Sequence, residues 1–180
     1  GIYTIQLLVT DNAGNSDFDE ITFEWDTTAP IVSINSLLTN DASPELTGNV
    51  DDNSAIIQLD VDGILYFATN NGDGTWTLTN DVIIPDLLEG IYDISVSATD
   101  LAGNIGNDAT MDELEIDTTA PVVSVNFLLT NDANPQLTGN IDDVNAIIQL
   151  DVDGILYFAT NNGDGTWTLT DNLISPDLID

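Results

Sequence analysis

Residues 55–79 recur letter for letter as residues 146–170, and Asp26-Thr27-Thr28-Ala29-Pro30 recurs as Asp117-Thr118-Thr119-Ala120-Pro121. A period of about 91 residues means an array of like units. The two ends of the chain are in phase with that array. Pro85-Asp86-Leu87-Leu88-Glu89 runs into Gly90-Ile91-Tyr92, while the chain stops at Pro176-Asp177-Leu178-Ile179-Asp180 and starts at Gly1-Ile2-Tyr3. Asp180 is therefore expected to join the Gly1 of another copy. The linkers predict three pieces: 1–26 finishes one repeat, 27–117 is a whole one, and 118–180 begins a third, to be completed by the next copy.

Within each unit the apolar residues alternate, and turn residues punctuate the chain every 8–12 positions, which is the pattern of an all-β sandwich. In 92–98, Tyr92, Ile94, Val96 and Ala98 fall on one face and Asp93, Ser95 and Ser97 on the other. Tyr3, Ile5, Leu7 and Val9 repeat the pattern. Asp62-Gly63 lies between two apolar runs, a signal for a two-residue hairpin whose central residues both need positive φ. Strands are predicted at about 31–35, 45–50, 55–61, 64–70, 75–79, 90–99 and 111–116, with a turn or a 3₁₀ segment in 80–89. Seven strands at this spacing predict tandem immunoglobulin-like β-sandwich repeats of about 91 residues, arrayed in line. Trp76 and Leu78 should point inward, and Tyr92 and Tyr3 suit a tyrosine corner. The first tail is two residues shorter than its counterpart, a change expected in the loop between 90–99 and 111–116 (the F–G loop of such a sandwich).

Composition then removes most chemistry. The chain has no Lys, Arg, His or Cys against 32 Asp plus Glu. It has no imidazole base, no thiol or Schiff-base nucleophile, and no cation to hold an oxyanion or phosphate. A glycosidase-like carboxylate pair is formally left, but the chain is expected not to be an enzyme. Nucleic acid and anionic membrane surfaces need basic residues, so neither is an expected partner. No apolar run is long enough to insert in a membrane as a helix. A net charge of −32 often signals disorder, but 42% hydrophobic residues in alternation argue for a folded core. The charge either keeps an extracellular polymer soluble or collects cations.

The Asp-Thr-Thr-Ala-Pro linkers, Thr99-Asp100-Leu101-Ala102-Gly103-Asn104 and Gly72-Asp73-Gly74-Thr75-Trp76 together resemble the bacterial Ig-like tandem repeats of giant secreted adhesins of the RTX and biofilm-associated type. The resemblance covers the whole chain. It implies an extended stalk, export to the cell surface, and calcium at the junctions between domains.

In such a sandwich the start of the first strand, the loop between 45–50 and 55–61 (the B–C loop) and the F–G loop share one end. That places Asp26, Asp51, Asp52, Asp100 and Asn104 together. Oxygen ligands without nitrogen or sulfur suit Ca²⁺ better than zinc or copper. The next set would be Asp117, Asp142 and Asp143, with Asp11 and Asn15 supplied by the following copy. The alternative is that these are turn formers bonded to their own backbone, in a linker stiffened by Pro30. Asp60, Asp62 and Asp73 look superficially like the start of an EF-hand, but no such loop follows, and they are expected to be hairpin residues.

The chain is thus expected to be a repetitive extracellular stalk or filament segment stiffened by calcium. Its partners would be neighbouring repeats, copies of itself, or other cell-surface or matrix components. One rival is a discrete filament subunit that polymerises by strand complementation, residues 1–26 of one copy completing 118–180 of its neighbour. The other is a sugar- or ice-binding module, which would need a flat exposed array of aromatics or threonines. An intact mass would separate protomers from one long chain.

Overall fold

A computed structural model of the chain describes residues 1–108 and 110–178. It is all-β, and no helix among the described residues is long and apolar enough to cross a membrane. Two compact units are present, Gly1–Thr118 and Thr119–Asp180.

The first unit begins with a regular antiparallel hairpin, Ile2–Thr10 (β1) on Ser16–Glu24 (β2), which is a sheet of its own. Pairing keeps one register from Ile2↔Glu24 to Thr10↔Ser16. Tyr3, Ile5, Leu7, Val9, Ile21 and Phe23 share a face and are all exposed, although their alternation predicts an inward face. The Tyr3 ring stacks on Phe23 at a centroid distance of 5.5 Å.

The rest of the unit is a sandwich. Val32–Ile34 (β3), Leu37–Thr39 (β4), Leu46–Val50 (β5), Ile56–Val61 (β6), Ile64–Asn70 (β7) and Thr75–Leu78 (β8) make its first part. Gly90–Tyr92 (β9), Ile94–Thr99 (β10), Ile105–Asn107 (β11) and Leu114–Ile116 (β12) complete it. One sheet runs β11-β10-β6-β7-β8-β5-β3, and a second runs β4-β12-β9. β7 pairs with β6 through 64–68 and with β8 through Thr69 and Asn70, so it carries the chain from one layer to the other. Asp62 and Gly63 have φ of 51° and 82°, the two positive values that the β6–β7 turn requires.

Alternation then builds the core. Ile57, Leu59 and Val61 of β6, Ile94, Val96 and Ala98 of β10, and Leu114 and Ile116 of β12 enclose Trp76 and Leu78. Trp76 is 0% exposed, and its indole N–H donates to the Ser33 carbonyl at 3.0 Å. Gly48 lies against that ring because no side chain fits there. The segment 80–89 is turns and bends, held by buried Ser43, whose hydroxyl accepts from Ile83 N and donates to Ile83 O, both at 3.0 Å. The Tyr92 hydroxyl donates to the Leu88 carbonyl at 2.9 Å, the backbone four residues back that a tyrosine corner uses.

Three expectations need correcting. Residues 90–99 are two strands: exposed Asp93 breaks the run, β9 pairs with β12 in one sheet, and β10 pairs with β6 in the other. The last strand starts at Leu114, because buried Glu113 turns inward to accept the Ile94 amide at 3.0 Å. β4 and β11 are additional strands, so ten rather than seven are described between 32 and 116. The two-residue difference falls in the expected connection between 90–99 and 111–116, past its tight turn. Asp11–Asn15 and Asp100–Asn104 are closed by the same bonds at the same spacing, and the extra residues lie between Asn107 and Leu114, where the chain changes sheet.

The second unit repeats the first as far as its chain goes. Val123–Val125 (β13), Leu137–Ile141 (β14), Ile148–Val152 (β15), Ile155–Asn161 (β16) and Thr166–Leu169 (β17) form one sheet ordered β13-β14-β17-β16-β15. Trp167 is again buried and donates to the Ser124 carbonyl at 2.9 Å. Its core is smaller, with Ile141, Ile148, Leu169 and Ile174 around Trp167.

A candidate metal centre at the domain entry

The linker enters the sandwich between the β5–β6 loop and the β10–β11 turn. Asp26, Asp51, Asp52 and Asp100 line one open hollow there, with Thr28, Ala29, Pro30 and Asn53. Asn104 joins them: its amide donates to Asp100 Oδ2 at 2.8 Å and to the Asp26 carbonyl at 3.2 Å, tying the turn to the linker.

Local hydrogen bonds explain how each carboxylate is held. Asp26 Oδ1 accepts from Thr28 N at 2.9 Å, and Asp51 Oδ1 accepts from Ile31 N at 2.7 Å. Asp52 Oδ1 accepts from both the amide and the hydroxyl of Ser54 at 2.7 Å. Asp100 Oδ1 accepts from Asn104 N at 2.8 Å. These are the turn bonds that Asp forms readily with nearby backbone. The Asn104 side chain, with the backbone amides of Asn104, Gly103 and Ala102, holds the Asp100 carboxyl below its ordinary value against the opposing effect of desolvation.

The donor set is all oxygen and carries no cation, which fits a hard divalent ion in chemistry. In geometry, no three acidic side chains among the described residues stand close enough to share a metal ion as they are. Gathering them would require rotation away from turn bonds. The acids line one end of the sandwich and are each bonded within a turn or to the linker backbone.

The other predicted residues sit in the same local motifs. Asp11 Oδ1 accepts from Ala13 N and Asn15 N, and its Oδ2 accepts from the Asn15 amide at 2.8 Å, at the tip of the β1–β2 hairpin. The Asn15 side chain is the main cause of the lowered Asp11 carboxyl. Asp117 follows the end of β12, its amide donating to the Thr39 carbonyl at 2.9 Å. Asp142 Oδ1 accepts from Val122 N and Asp143 Oδ1 from Asn145 N, repeating Asp51 and Asp52. Asp60 closes the β6–β7 turn by accepting Gly63 N at 2.8 Å, and Asp73 caps Thr75, so both are hairpin residues as expected.

Sequence reasoning missed Glu113 and Ser43. Glu113 is 2% exposed, and its Oε1 has no hydrogen-bond partner. Ser43 is 6% exposed and pins 80–89. Neither carries a local signal, since each bonds to backbone far along the chain.

The family described as "Bacterial Ig-like domain" matches residues 32–118. No match was found among curated proteins. Among solved structures, the chain is similar to a tetra-tandem repeat in the extending region of a large adhesion protein. Identity there is 25% and TM-score 0.46, covering 95% of this chain and 48% of that one. It is also similar to dimeric latent PorU from Porphyromonas gingivalis, at 17% identity and TM-score 0.38, covering 94% and 20%. A third is the SGBP-B protein of a Bacteroides ovatus mixed-linkage glucan utilization locus, at 16% identity and TM-score 0.29, covering 100% and 45%. The chain thus spans about half or less of each of these structures. Residues 32–118, the stretch that holds β3 to β12, Trp76 and the tyrosine corner, are a bacterial Ig-like domain.

Proposed function

We propose that the chain is a segment of a repetitive extracellular stalk or filament, in a bacterial adhesin or a matrix fibre, and that its role is structural spacing rather than catalysis. The observation that carries this reading is the bacterial Ig-like domain at 32–118 followed by a second copy of its first half in the same chain. The similarity to a tandem repeat from the extending region of an adhesion protein accords with it. Its partners are neighbouring repeats and other cell-surface or matrix components.

Calcium belongs to the same proposal. Asp26, Asp51, Asp52 and Asp100 bring their charges to one hollow in a chain without basic side chains. Their repulsion favours any state in which a cation bridges linker and loops, and Asp117, Asp142 and Asp143 stand at the equivalent places of the next repeat. Extracellular calcium modules bind at about 10⁻⁴–10⁻³ M. Binding only the aligned folded state at tenfold excess over Kd adds about 1.4 kcal/mol per site.

The test is small-angle scattering and thermal melting of a multi-repeat chain, with calcium, with magnesium and with chelator. Calcium should lengthen the maximum dimension and raise Tm modestly. Magnesium should substitute poorly, since it demands tight octahedral geometry. Asp26→Asn, Asp51→Asn and Asp100→Asn together should abolish the response. Identical scattering and melting under all conditions would leave plain acidic linkers.

A further inference from the structure

We propose that Asn71 and Asn162 are latent modification sites: each side chain closes onto the backbone nitrogen of the following glycine and loses ammonia once its turn opens, and a hydrogen-bond clamp in the folded turn restrains it until then.

The turn itself creates the liability. The β7–β8 connection takes left-handed backbone at Gly72 and Gly74, with φ of 76° and 93°, and its counterpart in the second unit does so at Gly163 and Gly165, with 75° and 88°. Glycine adopts such angles without steric cost. Its use sets Gly72 directly after Asn71 and Gly163 directly after Asn162, the only two Asn-Gly pairs in the chain. A glycine nitrogen is the least hindered backbone nucleophile, since no Cβ stands beside it. Asn71 and Asn162 are both exposed, so water reaches each site.

The reaction balances with solvent water as its one co-reactant. The Gly72 nitrogen attacks Asn71 Cγ. The N–Cγ bond forms, the Cγ–Nδ2 bond breaks, and Nδ2 leaves as ammonia with the proton that Gly72 N gives up. Water then opens the cyclic imide at either carbonyl, leaving Asp or its β-linked isomer. Asparagine and water have become a carboxylic acid and ammonia.

The folded turn holds both reacting groups. Asn71 Nδ2 donates to the Thr75 hydroxyl at 2.9 Å and to the Thr77 hydroxyl at 3.1 Å, which ties the side chain to β8. The Gly72 amide donates to Asn70 Oδ1 at 3.1 Å. Asn70 is fixed in turn, its Nδ2 donating to the carbonyls of Asp52 and Ala55 at 2.9 and 3.0 Å. The second unit repeats each bond. Asn162 donates to Thr166 and Thr168 at 2.9 and 3.1 Å, and Gly163 N to Asn161 Oδ1 at 3.1 Å. Asn161 donates to the carbonyls of Asp143 and Ala146 at 2.9 and 3.2 Å. Ring closure needs the nitrogen and Cγ in near-attack geometry. The Asn71 amide must first leave both hydroxyls, and the Gly72 N–H must leave Asn70. Three modest bonds put the folded rate at least about ten-fold below that of an open turn.

The product does not fit back. Thr75 Oγ1 gives its single hydrogen to Asp73 Oδ1 at 2.6 Å, so it can only accept from residue 71. That bond is the main cause of the lowered Asp73 carboxyl. A carboxylate at 71 leaves the hydroxyl with two acceptors and one hydrogen. An opening of the turn is thereby recorded in the chain.

Cleavage after glutamate separates the sites into fragments 46–89 and 116–180, and mass spectrometry reads a gain of about 1 Da at each modified residue. The full-length chain is incubated in mildly alkaline buffer, with and without unfolding urea. In urea both fragments should gain mass, at Asn71 and Asn162; without urea they should do so at least about ten-fold more slowly. Thr75→Val with Thr77→Val removes the clamp of the first unit alone. With a native circular dichroism spectrum, Asn71 should then react roughly five-fold faster or more, while Asn162 in the same chain keeps its rate. Thr77→Val alone, which spares the bond from Thr75 to Asp73, should shift the Asn71 rate in the same direction. Chain modified in urea and returned to buffer should melt below the untreated chain. Equal rates with and without urea, an Asn71 rate indifferent to both variants, or an unchanged melt after modification overturns the inference. The stalk reading is untouched by any of these results, since each clamp lies within one unit.

Discussion

Gly48→Ala tests whether the core is closed by a backbone contact rather than by side chains alone. A Cβ at Gly48 would lie 2.0 Å from the Ser33 carbonyl oxygen and 2.6 Å from two atoms of the Trp76 ring. The ring is 0% exposed and cannot retreat. The carbonyl belongs to β3 and is held by the indole N–H. Contacts under 3.0 Å are essentially never seen for a Cβ, so β3 must move by about 1 Å. Overpacking of this kind costs about 1–3 kcal/mol, and losing the indole bond adds about 0.5–1.5 kcal/mol. A total of about 2–4 kcal/mol lowers the Tm of a domain this size by about 10–25 °C. Gly72→Ala is the control: φ is +76° but the space is open, so only the left-handed strain of about 1–2 kcal/mol applies. The chain has three tryptophans, and fluorine NMR of 5-fluorotryptophan-labelled protein follows each one separately. The Trp76 signal should melt early in Gly48→Ala while the Trp167 signal keeps its midpoint. A fall in the Trp76 midpoint of less than about 5 °C, or no larger than in the control, would refute the reasoning.

Two further outcomes follow from buried and exposed polar groups. Ser43→Ala strands the amide and the carbonyl of Ile83 in the core and should cost about 1–3 kcal/mol in urea unfolding; an unchanged midpoint would mean that 80–89 is held without it. Asn104→Ala should return the Asp100 carboxyl, now held low chiefly by that side chain, toward 3.8. A depressed folded pKa contributes stability above the unfolded pKa, and that stability is lost as pH falls through the folded value. The wild-type chain should therefore resist acid further below pH 3.8 than the variant does. Carboxyl-carbon NMR titration reads the shift directly, and superimposable titrations in the two proteins would contradict the assignment.

The alternation of Ile57, Leu59 and Val61, the Asp62-Gly63 turn and the inward Trp76 were legible because each is set by neighbours a few residues away. β4 was not, since Leu37–Thr39 is a strand only through β12, far along the chain. The break at Asp93 was hidden for the same reason: Tyr92 and Ile94 keep the alternation although they serve different sheets. At the candidate site, topology grouped Asp26, Asp51, Asp52 and Asp100 as acids of one end, and one hollow is lined by all four. It could not tell which oxygens were already bonded, because an Asp that caps a turn and an Asp that waits for a cation have the same sequence signature. Tyr3, Ile5, Leu7 and Val9 show the converse case, an alternating pattern of the inward kind on a face that is exposed.

The parallel pairing of β4 with β12 has a mechanical consequence. β4 lies near the point where the chain enters the domain, and β12 ends beside the point where it leaves. Tension between the two ends pulls these strands past each other along their length. The bonds from Leu37 N to Glu113 O, at 2.7 Å, and from Asp117 N to Thr39 O, at 2.9 Å, are then strained together. A hairpin pulled at its open end gives way one bond at a time. Here the load is shared, and resistance to pulling is set by the unfolding rate rather than by equilibrium stability.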